Sequence, residues 1–119
     1  MMDLDEEYRE INRQLVAAET EEASLRELNR ETKEILDNTE GLLRTIANVN
    51  DQVSNGVYHS RYAQELSAIG RNWVGYRNRI LGGISTQVQN CERDLQSNKR
   101  EQDELYQLKK QVIHRMEEE

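Results

Sequence analysis

The chain has 119 residues, a net charge of −7, no proline and a single cysteine. Its length allows one domain. Hydrophobic residues make up 35% of it and charged residues 33%, so it carries less apolar material than an ordinary globular domain, which has roughly 45–50%. A large enzyme core with a deep pocket is therefore not expected. The absence of proline favours long, uninterrupted helices.

The charge and the N-terminal segment restrict partners and location. No apolar run reaches the ~18–20 residues that cross a bilayer, so we expect no membrane insertion. The segment from Met1 to Glu7 is acidic and lacks the basic start of a cleaved signal peptide. The lone Cys91 cannot form an internal disulfide, which favours a cytoplasmic protein whose export, if any, uses a route independent of a signal peptide. The negative charge argues against nucleic acid as a partner.

The first half of the chain predicts one helix, arm 1, over about residues 3–54. Apolar or small residues recur there at intervals of three and four, the spacing that lines one side of an α-helix. Glu22, Thr32 and Thr39 interrupt the stripe. Its members are Leu4, Tyr8, Ile11, Leu15, Ala18, Leu25, Leu28, Ile35, Leu42, Ile46, Val49 and Val53.

A turn over about residues 55–59 and a second helix, arm 2, over about 60–117 follow. Asn55-Gly56 favours positive φ and is a usual helix stop, and Gly82-Gly83 is a candidate kink because glycine weakens a helix by about 1 kcal/mol. Two-residue alternation is absent, so we predict no strand. The second stripe comprises Tyr62, Leu66, Ile69, Trp73, Tyr76, Ile80, Leu81, Ile84, Val88, Cys91, Leu95, Leu105, Val112 and Met116.

These patterns predict an all-α fold, a long antiparallel helical hairpin that forms one domain over residues 1–119. Leu42 and Val88 are expected to lie in the seam between the arms, where an aspartate at either position would be strongly destabilising. Two helices enclose little apolar surface, and small chains without disulfides or metals usually need a partner. We therefore expect the hairpin to join a multi-helix bundle, as a homodimer or with another helical protein.

The sequence offers no candidate for catalysis, for a metal or for a cofactor. His59 lies near the predicted turn and His114 near the C-terminus, so the hairpin separates them. Neither follows a glutamate at the spacing of helical di-iron sites, and glycine-rich phosphate loops and HExxH motifs are absent. Cys91 lies on the apolar stripe and is interpreted as a small buried side chain. We expect the protein not to be an enzyme.

Residues 55–83 differ from both ends of the chain, because they contain four of the six aromatic residues and five of the six glycines. Arginines among aromatic residues also occur in nucleic-acid sites, but no known binding motif surrounds them here. Tryptophan, tyrosine and arginine are typical of protein–protein hot spots. The alternative is that Trp73 and Tyr76 only fill space between the arms. The candidate partner-binding residues are Arg71, Trp73, Gly75, Tyr76 and Arg77.

On a helix, Trp73 and Arg77 are one turn apart and project to the same side, whereas Arg71 lies about 160° away from Trp73. One helix face is therefore expected to present the Trp73 indole together with the Arg77 guanidinium. Arg71 would reach a different helix or a carboxylate beside it.

Residues 71–77 read Arg-Asn-Trp-Val-Gly-Tyr-Arg, and this Trp-x-Gly in an acidic, proline-free helical chain resembles the WxG-type proteins of type VII (ESX) secretion systems. Those are helical hairpins that dimerise into four-helix bundles. In that family Trp-x-Gly forms the turn, whereas here Asn55-Gly56 is the better turn. The family's C-terminal Tyr-x-x-x-Asp/Glu signal is also absent, since Tyr106 is followed by Gln-Leu-Lys-Lys.

In size and texture the chain also resembles a group of small helical proteins encoded beside LXG toxins in Gram-positive bacteria. That resemblance implies a non-enzymatic adaptor, a targeting factor or chaperone that binds the helical N-terminal domain of an LXG toxin for type VII secretion. It also implies a second small helical protein as a further partner. The alternative function is a structural coiled-coil subunit that self-assembles without cargo.

Overall fold

The computed structural model describes residues 3–56 and 63–118, and all of these except Asp3 are helical. Helix α1 spans Leu4–Gly56 and helix α2 spans Ala63–Glu118. The part of the chain that the structure describes contains no strand, and the prediction of an all-α helical hairpin is confirmed. The helices run close to the predicted arms of 3–54 and 60–117.

The predicted turn over residues 55–59 is only partly within the described residues. Asn55 and Gly56 are the last two residues of α1, and no described residue has a positive φ. Residues 57–59, which include His59, lie outside the described residues.

The first turn of α1 has a side-chain cap. The Asp3 carboxylate accepts a hydrogen bond from the Glu6 backbone N–H at 2.8 Å, and the Asp3 carbonyl accepts one from the Glu7 N–H at 3.0 Å. An aspartate at this position accepts hydrogen bonds from amides that have no partner inside the helix. The acidic side chains of the first turn also interact favourably with the positive end of the helix dipole. The start of α1 therefore follows from local sequence chemistry.

The chain divides into two compact units. Unit 1 consists of Met1–Arg30 with Asn90–Glu119, and unit 2 is Glu31–Gln89. Each unit contains one stretch of α1 and one stretch of α2. The assignment of residues 1–119 to one domain stays a prediction.

Unit 1 holds an apolar core where the predicted stripes place it. Leu15, Ala18 and Leu105 form a buried cluster with Ile11 packed against it. Cys91 is buried, as predicted, and its Sγ donates a hydrogen bond to the Leu25 carbonyl at 3.2 Å. The antiparallel pairing of the helices in this unit follows from these contacts, because later residues of α2 meet earlier residues of α1.

A polar layer crosses the seam of unit 1. Buried Asn98 donates from Nδ2 to the Ala18 carbonyl at 2.9 Å, and Gln102 donates from Nε2 to Asn98 Oδ1 at 2.7 Å. Gln102 Nε2 also lies 3.3 Å from Glu22 Oε2. A buried amide with specific partners sets the register of two helices, since any slip leaves its polar atoms unpaired.

Polar contacts at the surface of unit 1 also join its two helices. Arg115 pairs with Glu7 at 2.9 Å. The Tyr106 hydroxyl donates to Glu19 Oε1 at 2.9 Å, and that bond, together with the carboxylate charge, raises the pKa of Tyr106. Because these groups are exposed, each contact adds little stability.

Along α1 the residues that face α2 follow an unbroken seven-residue repeat. They are Leu4, Tyr8, Ile11, Leu15, Ala18, Glu22, Leu25, Asn29, Thr32, Leu36, Thr39, Leu43, Ile46 and Asn50, all buried or half-buried. The predicted stripe matches this row as far as Leu25. Beyond Leu25 the predicted stripe is wrong at most positions, because its apolar members stand one residue earlier than the buried ones.

The error is largest at Leu42. Its side chain is 61% exposed, whereas Leu43 is 5% exposed. Leu28, Ile35, Val49 and Val53 are exposed in the same way. The reason is geometric: moving the seam from the Leu43 row to the Leu42 row within one helix requires a local change of winding, and α1 keeps the row set by its N-terminal half.

In α2 the predicted stripe holds from Leu81 onward. Val88 is half-buried in the seam, as predicted. Before Leu81, however, Ile69, Tyr76 and Ile80 are exposed, and Gly70, Trp73 and Arg77 are the half-buried positions. The helix continues through Gly82-Gly83 without a break.

Candidate functional site

One side of unit 2 carries two rows of exposed apolar side chains. The row on α1 repeats every seven residues through Ile35, Leu42 and Val49, and positions seven apart lie on one side of a helix. We call the set the outer face of unit 2. It consists of Ile35, Leu42, Val49 and Val53 on α1 and Ile69, Tyr76, Ile80 and Gly83 on α2.

A shallow groove between the helices joins the two rows. Ile35 of α1 lines it together with Ile80 and Gly83 of α2. The two rows therefore form one surface. Large apolar residues at seven-residue spacing usually pack against another helix, but within unit 2 these side chains stay largely exposed to solvent.

The seam behind the outer face is more polar than the face itself. Thr32 is buried and Thr39 and Asn50 are half-buried between the helices, while Leu42, only three residues from Thr39, is exposed. A helix of a larger bundle typically has apolar residues at three of seven positions, of which two face one neighbour and the third faces another helix. Helix α1 has this pattern in unit 2.

Of the predicted site residues, Trp73 and Tyr76 lie on or beside the outer face. Tyr76 is 55% exposed, and the guanidinium of Arg79 lies 4.9 Å from the centroid of its ring. Trp73 is half-buried at the border between the outer face and the seam. Its indole Nε1 is buried and has no hydrogen-bond acceptor among the described residues.

The other predicted site residues point elsewhere. Arg77 is half-buried and lines a groove on the opposite flank of the seam, together with Glu40, Leu43 and Leu81. Trp73 and Arg77 are both half-buried, and whether one face presents them together to a partner stays a prediction. Arg71 and Gly75 are exposed. Whether these residues bind a partner stays a prediction.

Sequence reasoning missed the α1 half of the outer face. Ile35, Leu42 and Val49 were assigned to the seam because they are the most apolar row of α1. The sequence contains one signal of this change. Leu28 follows Leu25 after three residues, whereas the repeat of the N-terminal half requires four. Arg79 was not singled out either, although its three-residue spacing from Tyr76 permits the stacking.

Gly82 and Gly83 form a matched pair for testing the surface. A Cβ added at either glycine would have no heavy atom within 4 Å. By helical spacing Gly83 belongs to the row of Tyr76, whereas Gly82 points away from it. Neither glycine is required by packing inside the hairpin.

We therefore expect Gly82→Ala to stabilise the protein by about 1 kcal/mol, because alanine loses less backbone entropy in a helix interior. Urea unfolding followed by circular dichroism would measure the change. A loss of stability would contradict the uninterrupted path of α2 through this segment.

None of the described helices combines the length and the hydropathy needed to cross a membrane. Among residues 3–56 and 63–118, His, Cys, Asp and Glu side chains form no group of three or more that could hold a metal ion. His114 is exposed and lies 3.1 Å from Glu118.

Comparisons of the chain with protein-family models, with curated proteins and with solved structures found no match.

Proposed function

We propose that this protein is a non-enzymatic adaptor that uses the outer face of unit 2 to bind the helical domain of another protein. The observation that carries the proposal is the pair of exposed apolar rows on α1 and α2. Contiguous apolar surface of this kind on a small protein is typical of an interaction site.

The spacing of the rows favours a helical partner. Ile35, Leu42 and Val49 repeat every seven residues, which matches the contacts along a helix that packs at a small crossing angle. A bound peptide strand would instead present every second side chain to the surface. The partner expected from this spacing is therefore an amphipathic helix, or a pair of helices, that completes a bundle.

The kind of partner comes from the resemblance carried by residues 71–77. That resemblance implies that the partner is the helical N-terminal domain of an LXG toxin. It also implies that the adaptor is a targeting factor or chaperone for type VII secretion. A cytoplasmic location, with export that needs no signal peptide, belongs to the same proposal. Trp73, the tryptophan of the Trp-x-Gly that carries the resemblance, is half-buried, and Tyr76, in the same segment, belongs to the outer face.

The test is co-expression of this chain with the helical N-terminal domain of an LXG toxin, followed by co-purification and titration calorimetry. Ile80→Glu places a charge in the centre of the outer face and should weaken binding at least about 30-fold, the effect of a hot-spot residue. Val74→Glu is the matched control, because Val74 is 43% exposed on the same helix but outside the outer face.

Equal loss of binding for both variants would contradict the outer face as the site. Absence of any complex with wild-type protein, combined with rods or higher oligomers of this chain alone, would favour the structural coiled-coil subunit instead. Light scattering on the purified protein distinguishes these outcomes.

A further inference from the structure

An arginine lies at the edge of the groove in the outer face. Arg79 lines this groove together with Ile35 and Ile80, and its guanidinium lies 4.9 Å from the centroid of the Tyr76 ring. Its Nε lies 3.5 Å from the Gly75 carbonyl, so the two terminal nitrogens keep their donors. Among the described residues, Arg79 forms no ion pair with a carboxylate. An unneutralised positive charge therefore borders an apolar groove.

A helix that fills the groove removes water from Arg79 as well as from the apolar rows. Loss of water around a charged group is strongly unfavourable unless the group gains a partner. Arginine stays protonated at any physiological pH, so it cannot escape this cost by losing its proton. The bound helix therefore has to supply an acceptor at this point. A carboxylate fits best, because its two oxygens match the paired N–H donors of a guanidinium.

The Tyr76 ring prepares Arg79 for this contact. A cation over the face of an aromatic ring is attracted by the ring, which restrains the long arginine side chain before any partner binds. Less side-chain entropy is then lost on binding. The N–H donors lie at the edge of the planar guanidinium, so a carboxylate can approach them without displacing the ring.

The two sides of the groove carry charges of opposite sign. Helical spacing places Glu31 and Glu34 on the outer side of α1 near Ile35, whereas Arg79 is on the side of α2, and all three charged side chains are exposed. Glu65, also exposed on the outer side of α2, lies about four turns before Arg79. A carboxylate on a bound helix is therefore attracted at the α2 side beside Arg79 and repelled at the α1 side.

We propose that the helix bound by the outer face carries an acidic side chain that pairs with Arg79, on the flank next to α2. The flank next to Glu31 and Glu34 carries no acid. This inference rests on the proposed function, because it specifies the chemistry of the helix that the outer face binds. The acidic residue lies beside an apolar seam, as the e and g positions of a coiled coil do, and it selects among helices that all offer apolar surface.

Fluorescence anisotropy with three labelled peptides and the whole protein tests the inference. Each peptide is a four-heptad amphipathic helix with leucine at the apolar positions. The first has glutamine on both flanks, the second has glutamate on one flank, and the third has glutamate on both. The one-flank peptide should bind about tenfold more tightly than the glutamine peptide, and more tightly than the two-flank peptide. This preference should shrink between about 50 and 500 mM NaCl, because salt screens the charges.

Variants of the protein assign the preference to its residues. Arg79→Gln should abolish it, and Arg79→Lys should keep only part of it, because lysine retains the charge without the planar donors. Tyr76→Leu keeps apolar surface and removes the ring, and should reduce the preference about threefold. Arg93→Gln is the matched control, since it removes an exposed arginine of the same helix in unit 1, and it should leave the preference unchanged.

Equal affinity of the wild type for the one-flank and glutamine peptides would overturn the inference. A preference that persists in Arg79→Gln would overturn it too, as would failure of all three peptides to bind.

The proposed function fails in a different way. An Arg79-dependent preference for the one-flank peptide, combined with no affinity for the toxin domain, would overturn only the adaptor function. Toxin binding that Ile80→Glu weakens and Arg79→Gln leaves unchanged would overturn only the inference about Arg79.

Discussion

Leu43→Asp is expected to destabilise the protein by about 3–5 kcal/mol, whereas Leu42→Asp is expected to change the stability of the monomer by less than about 0.5 kcal/mol. The two leucines are neighbours in the same helix, so helix propensity changes equally. Leu43 is 5% exposed and Leu42 is 61% exposed. Only the first substitution loses a buried side chain and places a carboxylate without a partner in the seam.

Urea unfolding followed by circular dichroism at two protein concentrations measures both effects. The cost of Leu43→Asp should be the same at each concentration. Leu42→Asp should leave stability nearly unchanged at each concentration, because the Leu42 side chain is exposed. If Leu42→Asp proves as costly as Leu43→Asp at both concentrations, the seam of unit 2 uses the Leu42 row.

The helices themselves could be predicted because apolar residues at intervals of three and four have one common interpretation. Buried positions such as Leu15, Cys91, Leu105 and Val112 follow from the same spacing, since the predicted stripes hold as far as Leu25 on α1 and from Cys91 to Met116 on α2. There the hydropathy of the sequence and the packing of the structure agree, and the polar layer at Asn98 is an interruption that the sequence already contains.

Unit 2 could not be predicted in the same way. Its α1 stretch has two adjacent rows that both repeat every seven residues, the Leu42 row and the Leu43 row. Hydropathy favours the first, whereas the second is the row that is buried or half-buried in the structure. The more apolar row is left outside because a helix cannot change its seam without a change in winding.

The candidate site was predictable in composition but not in direction. Trp73 and Tyr76 were identified from residue type, and they border or belong to the outer face. Arg77 was grouped with Trp73 because the two residues are one turn apart. Their directions differ by about 40°, and both side chains are half-buried. Arg77 lines a groove with Glu40 and Leu43 of α1, and sequence spacing within α2 does not contain that contact.

Trp73 is the position where packing and binding should both respond, because it is half-buried between the seam and the outer face. Trp73→Ala is expected to cost about 2–3 kcal/mol of stability, less than the ~3–5 kcal/mol of a fully buried aromatic residue. It should also cost roughly 2–4 kcal/mol of affinity for a partner on the outer face. Calorimetry at a temperature where the variant remains folded separates the two losses.

Trp73→Phe is the sharper variant, because it keeps the aromatic surface and removes the indole N–H. The Trp73 Nε1 is buried without an acceptor among the described residues, and an unsatisfied buried donor costs about 1–3 kcal/mol. The phenylalanine variant is therefore expected to be at least as stable as the wild type in urea unfolding. If it is instead less stable by more than about 1 kcal/mol, the indole N–H has an acceptor in the free protein. If it is as stable but binds the toxin domain more weakly, the N–H donates to the partner, and Trp73 is then both a packing residue of the hairpin and a polar contact of the outer face.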